Sequence, residues 1–445
     1  MAESTVRDLF EDIAGYPHAV IAYVGSDGFP VSVGTSFTAD RERGVIQVHR
    51  PEIPNLPSEG AEVNLLFSHV RPYPGVGYDQ RRYVNVWGTV HRANGVIEIS
   101  PRRTHGWDEN RMSFFELCER SVSVAHNYMR KLSVEKGRTI QATLPLGWLI
   151  FLATRAPFLT ATIVPIMLGA VIARNDGFSA WWLTVLALIG GSFIHLGLNI
   201  GNDVSDATSG ADAANVNPTM YSGGSRVIQY GLVSIETMQK ASIGCYAIGI
   251  AIGLLLAVTR GWELILLGAA GLFLAIFYTA PPFRLVHRGV GEICVALGFG
   301  PIMLLGSYFV VARQFSAEAL YASLPVALLI MLVLYVNQIP DRPADAKVGK
   351  KTLVVRLSEQ AVIRGYAIFA GLAFVLILLG PILSLTPWWT LLALAPIPLA
   401  VKVYRALGSH YSSPYELMSS MGTNVMLHFA AGMLLIVGYV LAIIF

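Results

Sequence analysis

Apolar and polar positions change their rhythm at about residue 140. Before that point, short apolar runs alternate with turn-forming residues. "HAVIAYVG" is followed by the turn chemistry of "SDGFP", and "PVSVGTSFTA", "GVIQVHR" and "EVNLLFSHV" follow at short spacing. In "RRYVNVWGTVHRANGVIEIS" the pair Asn94-Gly95 lies between two alternating runs, a type I′ hairpin signal. The pattern predicts several short strands forming a small β-barrel, followed by a helix in "NRMSFFELCERSVSVAHNYMRKL". Residues 1–140 are therefore read as a barrel domain with a C-terminal helical linker.

Beyond residue 140 the apolar runs lengthen to the roughly 20 residues that cross a bilayer. Nine are predicted, at about 155–173, 180–201, 236–258, 262–280, 289–312, 317–338, 360–380, 387–405 and 421–445. Residues 141–445 are read as an all-α polytopic membrane bundle, which makes the chain multi-domain. Pro and Gly inside several spans are tolerable where neighbouring helices satisfy the backbone.

Composition agrees with that division. The 445 residues are 54% hydrophobic and 14% charged, with mean hydropathy +0.54, too apolar for a soluble protein of this length. The net charge of +3 gives no indication of a nucleic-acid partner. The bases concentrate instead on alternate loops. Arg130, Lys131, Lys136 and Arg138 precede the first span, and Arg226, Lys240, Arg284, Arg288, Arg342, Lys347, Lys350, Lys351, Arg356, Lys402 and Arg405 fall on the same side. The positive-inside rule makes that side, and the N-terminal domain, cytoplasmic, with the C-terminus outside a cell membrane. Cys118, Cys245 and Cys294 show no CxxC spacing, which argues against a disulfide framework or a Cys-based zinc site. "MAESTVRDLFEDIAGY" is acidic and amphipathic, unlike a signal peptide.

Two span ends carry unusual polar chemistry. Asn199, Asp203 and Asp206 in "NIGNDVSDATSGAD" stand at i, i+4 and i+7, and His195 extends the stripe one turn deeper. Asn337, Asp341 and Asp345 in "NQIPDRPADAKVGKKT" stand at i, i+4 and i+8. Each set shares one helix face, and both end helices of equal topological sense. Clustered carboxylates repel unless cations hold them together, and hard oxygen ligands select Mg²⁺, whose shell is completed by water and substrate phosphate. With Arg226 in "YSGGSR" and Lys350 and Lys351 in "GKKT", they make a diphosphate clamp. Beside a membrane the natural diphosphate is a polyprenyl one.

From about residue 148 onward the chain resembles the UbiA superfamily of membrane prenyltransferases, whose two Asp-rich motifs are similar to "NDVSDATSGAD" and "NQIPDRPAD". "TRAPFLTATIVPIMLGA", "YSGGSRVI", "YTAPPFRLVHRGVGE", "FGPIMLLGSYFV" and "GKKTLVVRL" resemble its 1,4-dihydroxy-2-naphthoate polyprenyltransferase branch. A simple first motif would place its last Asp at Gly210; Asp212 takes that role here. The resemblance implies nine helices around a cavity open to lipid, and Mg²⁺ bound by Asp203, Asp206, Asp212, Asp341 and Asp345. Asn202 and Asn337 would orient ligands or bind metal, and Arg226 and Lys351 would offset charge on the departing diphosphate. Tyr278, Arg284 and Arg155 would meet the diphosphate or an aromatic acid substrate at the cavity mouth. The implied reaction joins the prenyl group to the ring and releases carbon dioxide, on the route to menaquinone.

Other readings compete with these roles. Tyr278 also suits an interfacial aromatic belt, and Arg284, His287 and Arg288 suit positive-inside anchors. His195 is a general base, a carboxylate orienter, or a packed residue. Glu292 and the Asn424/His428 pair read as interhelical hydrogen bonds. Acceptors such as 4-hydroxybenzoate or homogentisate would use the same chemistry, and a transporter with buried Asp residues is the rival from another class. Residues 10–110 resemble the pyridoxamine-phosphate-oxidase-like split barrel, a flavin-binding family. That resemblance implies FMN, its phosphate near Thr35, Ser36, Arg50 or Arg71. The domain would then act on the quinone product or sense flavin; otherwise it is a flavin-free scaffold.

Overall fold

The computed structural model describes residues 6–49, 56–73, 77–93 and 96–445. Arg50 and the Asn94-Gly95 turn lie outside them. The chain forms two compact units, residues 1–121 and 122–445.

The first unit begins with helix α1 (Val6–Ala14), followed by strands β1 (Ala19–Val24), β2 (Pro30–Thr35), β3 (Phe37–Asp40), β4 (Val45–Val48), β5 (Glu62–Tyr73), β6 (Gly77–Ala93) and β7 (Val96–Asp108). They form one antiparallel sheet in the order β2-β1-β5-β6-β7-β4-β3. This is a half-barrel, with β2 and β3 at its edges. Alternation delivers Ile21, Ile46, Val48, Leu65, Phe67, Val86 and Ile99 to one buried core, closed by Leu9 and Ile13 of α1. β5 to β7 run 12, 17 and 13 residues, longer than the alternating segments alone suggest. Their added ends are polar and arginine-rich, so they carry no hydrophobic signal while still extending the ladder. Opposite Trp87/Gly88 the register shifts at a bulge in β7, where Arg102 is the extra residue. A Cβ at Gly88 would stand 2.6 Å from the Ser100 carbonyl oxygen, so only glycine fits.

Helix α2 (Phe114–Lys136) runs on from this unit into the second. The second unit comprises α3 (Leu146–Ala153), α4 (Thr160–Asn175), α5 (Trp181–Ser209), α6 (Ala211–Ala214), α7 (Ile235–Arg260), α8 (Glu263–Phe277), α9 (Gly291–Leu297), α10 (Met303–Ala312), α11 (Ala317–Lys347), α12 (Leu353–Arg356), α13 (Glu359–Ile382), α14 (Ile397–His410) and α15 (Pro414–Ile444). Ser234, Ser316, Thr352 and Ser358 cap α7, α11, α12 and α13 by accepting a backbone N–H three residues on. Among the described residues eight helices are long and apolar enough to cross a membrane. The segment expected at 262–280 forms the 15-residue α8, about 22 Å long at the α-helical rise and short of the ~30 Å hydrocarbon core. The span expected at 289–312 contains a π-turn at Gly298–Ile302, around Pro301, between α9 and α10.

Both acidic stretches remain helical. α5 has 29 residues and α11 has 31, about 44 Å and 46 Å respectively. Each exceeds the hydrocarbon thickness, so its polar end projects past the apolar span. α11 keeps its helical path through Pro325, Pro340 and Pro343. It is also the most enclosed span: Val326, Leu332, Tyr335 and Val336 pack in the main core with Leu304, Leu427 and Leu435.

Backbones approach closely through small residues. A Cβ at Gly300 would lie 2.4 Å from the Ala327 methyl, whereas one at Gly306 meets nothing within 4 Å. Gly300→Val is therefore expected to destabilise the protein by about 1–3 kcal/mol through overpacking, with Gly306→Ala nearly neutral. Thermal unfolding in detergent checks this, and equal behaviour of the two variants would refute it.

Candidate functional site

The polar ends of α5 and α11 meet in one chamber of about 170 Å³. Asn199, Asn202 and Asp206 line it from α5, and Asn337, Gln338, Asp341 and Asp345 from α11. The loop between α6 and α7 stitches the two ends together. Gly223 donates its N–H to Asp341 Oδ2 at 3.0 Å. Two residues later, Ser225 donates its N–H to Asp203 Oδ2 at 3.1 Å. Asn215 Nδ2 adds a second donor to Asp341, at 2.7 Å. Gly224 adopts φ +78°, and a Cβ there would fall 3.2 Å from both Asp203 Oδ1 and Asp212 Oδ1. The adjacent glycines let the backbone reach both carboxylate groups at once.

Two cations lie among the carboxylates. The Arg155 guanidinium donates to Asp203 Oδ1, and Asp203 is only 2% exposed. Arg155 itself takes a left-handed φ of +50° just before the 3₁₀ turn Ala156–Leu159 that leads into α4. Lys350 is 8% exposed, and its Nζ lies 2.8 Å from Asp206 Oδ1 and 3.1 Å from Asp345 Oδ1. It therefore bridges the two acidic helices. The turn after α11 places it there: Gly349 has φ +79°, and Lys350 donates its N–H to the Asp345 carbonyl at 2.9 Å. Burial opposes the Lys350 charge, but Asp206 and Asp345 outweigh it and hold the ammonium pKa above the usual lysine range. Asp212, on the short α6, is pushed up to about 7, by burial first and then by repulsion from Asp206 and Asp203. Gln229 Nε2 donates to its Oδ2 at 2.7 Å, and Arg226 Nη1 donates to its carbonyl at 2.7 Å.

The remaining sequence candidates divide clearly. Asn199 lines the chamber and donates to the Thr154 carbonyl at 3.1 Å. His195 is buried, lines the chamber, and is 2.8 Å from Thr162 Oγ1 through Nδ1. Tyr278 is buried in the chamber wall with Val286 nearby, which replaces the aromatic-belt alternative. Lys351 and Arg284 are exposed and stand outside the chamber wall. Lys350 and Lys351 are neighbours in a non-helical stretch, and only Lys350 turns inward. Arg226 faces Asp212 instead of the chamber. Asn424 makes the interhelical bonds expected of it, donating to the Leu332 carbonyl and accepting from Tyr366. Glu292 accepts the Leu353 N–H at 2.7 Å.

Sequence reasoning missed four contributors. Gly223, Gly224 and Asn215 form the stitch, and the Gly-Gly pair after an Asp motif was its one available signal. His428 lines the chamber with Nδ1 buried and unpartnered, its Nε2 being 3.4 Å from the Thr160 carbonyl. Nothing in the sequence distinguished it from a structural histidine.

Among the described residues no three His, Cys, Asp or Glu side chains converge closely enough to hold a cation alone. Arg155 and Lys350 occupy that space. Mg²⁺ usually needs only one or two carboxylates plus phosphate oxygens and water, so the donor set still suits it. Buried amide oxygens of Asn202, Asn337 and Gln338 have no hydrogen-bond partner, and all three residues line the chamber. Such unpaired hard oxygens fit a cation with its water shell. The flavin set differs. Thr35 already donates its hydroxyl hydrogen within the chain, with the His49 and Ser36 carbonyls at 2.9 and 3.0 Å. Ser36 and Arg71 are exposed. The described members of that set build no phosphate cradle.

A second cavity, of about 400 Å³ and almost wholly apolar, adjoins the chamber. His195, Leu198, Tyr278, Val295 and Phe299 line both. The site thus grades from carboxylates and bases to a hydrocarbon-like cleft.

Residues 162–442 match the model of the UbiA prenyltransferase family. The chain is 27% identical over 308 residues to a 2-carboxy-1,4-naphthoquinone phytyltransferase of Synechocystis sp., covering 68% of this chain and 95% of that one. It is 23% identical to a 1,4-dihydroxy-2-naphthoate octaprenyltransferase of Bacillus subtilis, covering 71% and 99%. The corresponding figures for the Mycobacterium tuberculosis enzyme of that name are 30%, 54% and 79%. A solved UbiA homolog from Archaeoglobus fulgidus bound to GPP and Mg²⁺ has a TM-score of 0.46 at 14% identity, covering 65% of this chain and 99% of that one. The family match spans well over half the sequence and contains both acidic helix ends: the chain belongs to the UbiA prenyltransferase family.

Proposed function

We propose that this enzyme transfers a polyprenyl group from polyprenyl diphosphate to 1,4-dihydroxy-2-naphthoate, with loss of carbon dioxide. The observation that carries the reading is the graded site: acidic and basic groups converge in one chamber, and an apolar cleft continues from it. The names of the relatives support the choice of acceptor. Asp203, Asp206, Asp212, Asp341 and Asp345 would hold Mg²⁺, with the amide oxygens of Asn202 and Asn337 beside them. Bound there, Mg²⁺ supplies Lewis-acid neutralisation of the diphosphate.

The chain's own residues do the rest. Lys350 and Arg155 are already desolvated and aimed at the carboxylates, so they are preorganised to meet negative charge as the C–O bond to diphosphate breaks. The prenyl tail lies along the apolar cleft, and its allylic carbon, now cationic, faces the chamber. The electron-rich ring attacks through the carbon bearing the carboxylate. The bond to that carboxylate then breaks, carbon dioxide leaves, and its electron pair restores aromaticity. His195 and His428, held by Thr162 and Thr160, orient the acceptor hydroxyls. The carboxylates stand at helix ends beside basic loops, which favours this reading over an ion transporter. By the positive-inside pattern the chamber faces the cytoplasm and, counting α8 as a ninth crossing, the C-terminus lies outside.

Purified full-length protein in nanodiscs, with Mg²⁺ and labelled polyprenyl diphosphate, tests the assignment. Prenylated naphthoquinol and carbon dioxide should appear with 1,4-dihydroxy-2-naphthoate, and chelation of Mg²⁺ should stop turnover. Activity confined to 4-hydroxybenzoate or homogentisate would overturn the acceptor. Asp203→Asn and Asp341→Asn should each lower kcat by about a hundredfold or more; parental rates in both would remove the clamp.

The two lysines separate the structural reading from the sequence pattern. Lys350→Gln should lower kcat by about a hundredfold, the scale of one lost transition-state donor. Lys351→Gln should stay within about twofold, as expected for an exposed charge. The reverse order would contradict the placement of Lys350.

A further inference from the structure

The N-terminal unit encloses a cavity of about 650 Å³, larger than either cavity described above and within the size range of small-molecule sites. It lies between the end of α1, strands β6 and β7, and the start of α2. Its wall is built around one ladder. Tyr83 pairs with Trp107 and Trp87 pairs with Arg103, so these four side chains share one face of the sheet. The Tyr83 and Trp107 ring centroids are 6.2 Å apart. Trp107 is fixed by donating its Nε1–H to the Met112 carbonyl at 2.8 Å. The bulge, whose extra residue is Arg102 on β7, adjoins the Trp87–Arg103 pair.

Arg82, Arg103, Arg111 and Arg120 line the same cavity; Arg120 is taken up by Glu116 and Arg111 by Asp12. Arg103 lies 4.1 Å over the Trp87 ring, and no carboxylate pairs with it among the described residues. Arg82 lies 5.0 Å over the Tyr16 ring. Its Nη2 donates to the Gly15 carbonyl at 3.3 Å, and its Nε is buried without a partner. Glu11, Asp12 and Asp108 also line the cavity, and each has a partner. Glu11 pairs with Arg41 at 3.1 Å and Asp12 faces Arg111 at 3.7 Å. Asp108 Oδ1 accepts the Asn110 N–H at 2.8 Å. A guanidinium stacked on a ring keeps its edge free for a bidentate anion, and tryptophan and tyrosine faces receive a flat ring.

We propose that this cavity is a second binding site, for a planar aromatic carboxylate: the ring rests against Tyr83 and Trp107, and the carboxylate meets Arg103, whose guanidinium is held over Trp87 on the same sheet face. That this ligand is the prenyl acceptor rests on the function proposed above. Aromatic ring and carboxylate are the two features that class of substrate offers. A free phosphate lacks the ring, and a prenylated quinol lacks the anion. A site carried on the same chain as the transferase would hold acceptor at high local concentration.

Calorimetric titration of the full chain in nanodiscs with 1-hydroxy-2-naphthoate tests the proposal. Two molecules should bind per chain. Arg103 is exposed, so Arg103→Gln leaves the fold intact. It should weaken one of the two sites by at least tenfold while leaving the other, and kcat at saturating acceptor, unchanged. Trp87→Leu should do the same, and 2-naphthol, which lacks the carboxylate, should fail to fill that site. Parental binding in Arg103→Gln and Trp87→Leu, a single site in the parent, or equal binding of 2-naphthol would each overturn the proposal. Failure of the transferase assignment reads differently: turnover of 1,4-dihydroxy-2-naphthoate would be absent while the Arg103-dependent site still titrates.

Discussion

Carboxylates buried together at one end of a helical bundle require counter-charge, and that requirement organises the second unit. Asp203, Asp212 and Asp345 are all buried. Left unpaired, such charges would each cost several kcal/mol of desolvation. Arg155 answers Asp203 and Lys350 answers Asp206 and Asp345. Backbone N–H groups of Gly223 and Ser225 serve Asp341 and Asp203. Removing Lys350 takes the counter-charge from Asp206 and Asp345 together. The geometry that stabilises the fold also places bases, acids and unpaired amide oxygens around one small volume.

The same constraint relates fold to proposed chemistry. α5 and α11 are longer than the bilayer requires, and their surplus turns carry the acidic faces. The loop between α6 and α7 can join those faces because two consecutive glycines accept left-handed φ values of +73° and +78°. Beyond the chamber the lining changes mainly to Leu, Ile, Gly and Ala, with His195 and Tyr278 at the junction. A ligand with an anionic head and a hydrocarbon tail matches that gradient at both ends. The orphaned oxygens of Asn202, Asn337 and Gln338 supply the part the chain does not satisfy by itself.

Much of this was legible in the sequence, where a periodic pattern met a long element. The i, i+4, i+7 and i, i+4, i+8 spacings of the Asp residues held because both stretches stayed helical, even through Pro340 and Pro343. The change of run length near residue 140 reports where the apolar helices begin, whereas the compact units divide between Ser121 and Val122, inside α2. What escaped depends on backbone conformation after a helix ends. Whether Lys350 or Lys351 turns inward is decided by the turn at Gly349, and no periodicity reports it. Arg155 meets Asp203 from a left-handed position just before the 3₁₀ turn that leads into α4. Asn215 is brought to Asp341, 126 positions along the chain, a contact that local pattern does not encode. In the N-terminal unit the alternating cores of the strands were read correctly. The arginine-rich extensions of β6 and β7, which build the cavity there, lack a hydrophobic signature.

The central claim is that the two acidic helix ends form one ion site, completed by a diphosphate. Mn²⁺ in place of Mg²⁺ makes this directly measurable by electron paramagnetic resonance, using a non-hydrolysable polyprenyl thiolodiphosphate. Tight Mn²⁺ binding should require the analogue, and a single Asp→Asn change at either Asp206 or Asp345 should abolish it. Retention of Mn²⁺ at undiminished affinity after neutralising one helix end would mean that the two ends act separately, and would contradict the shared site.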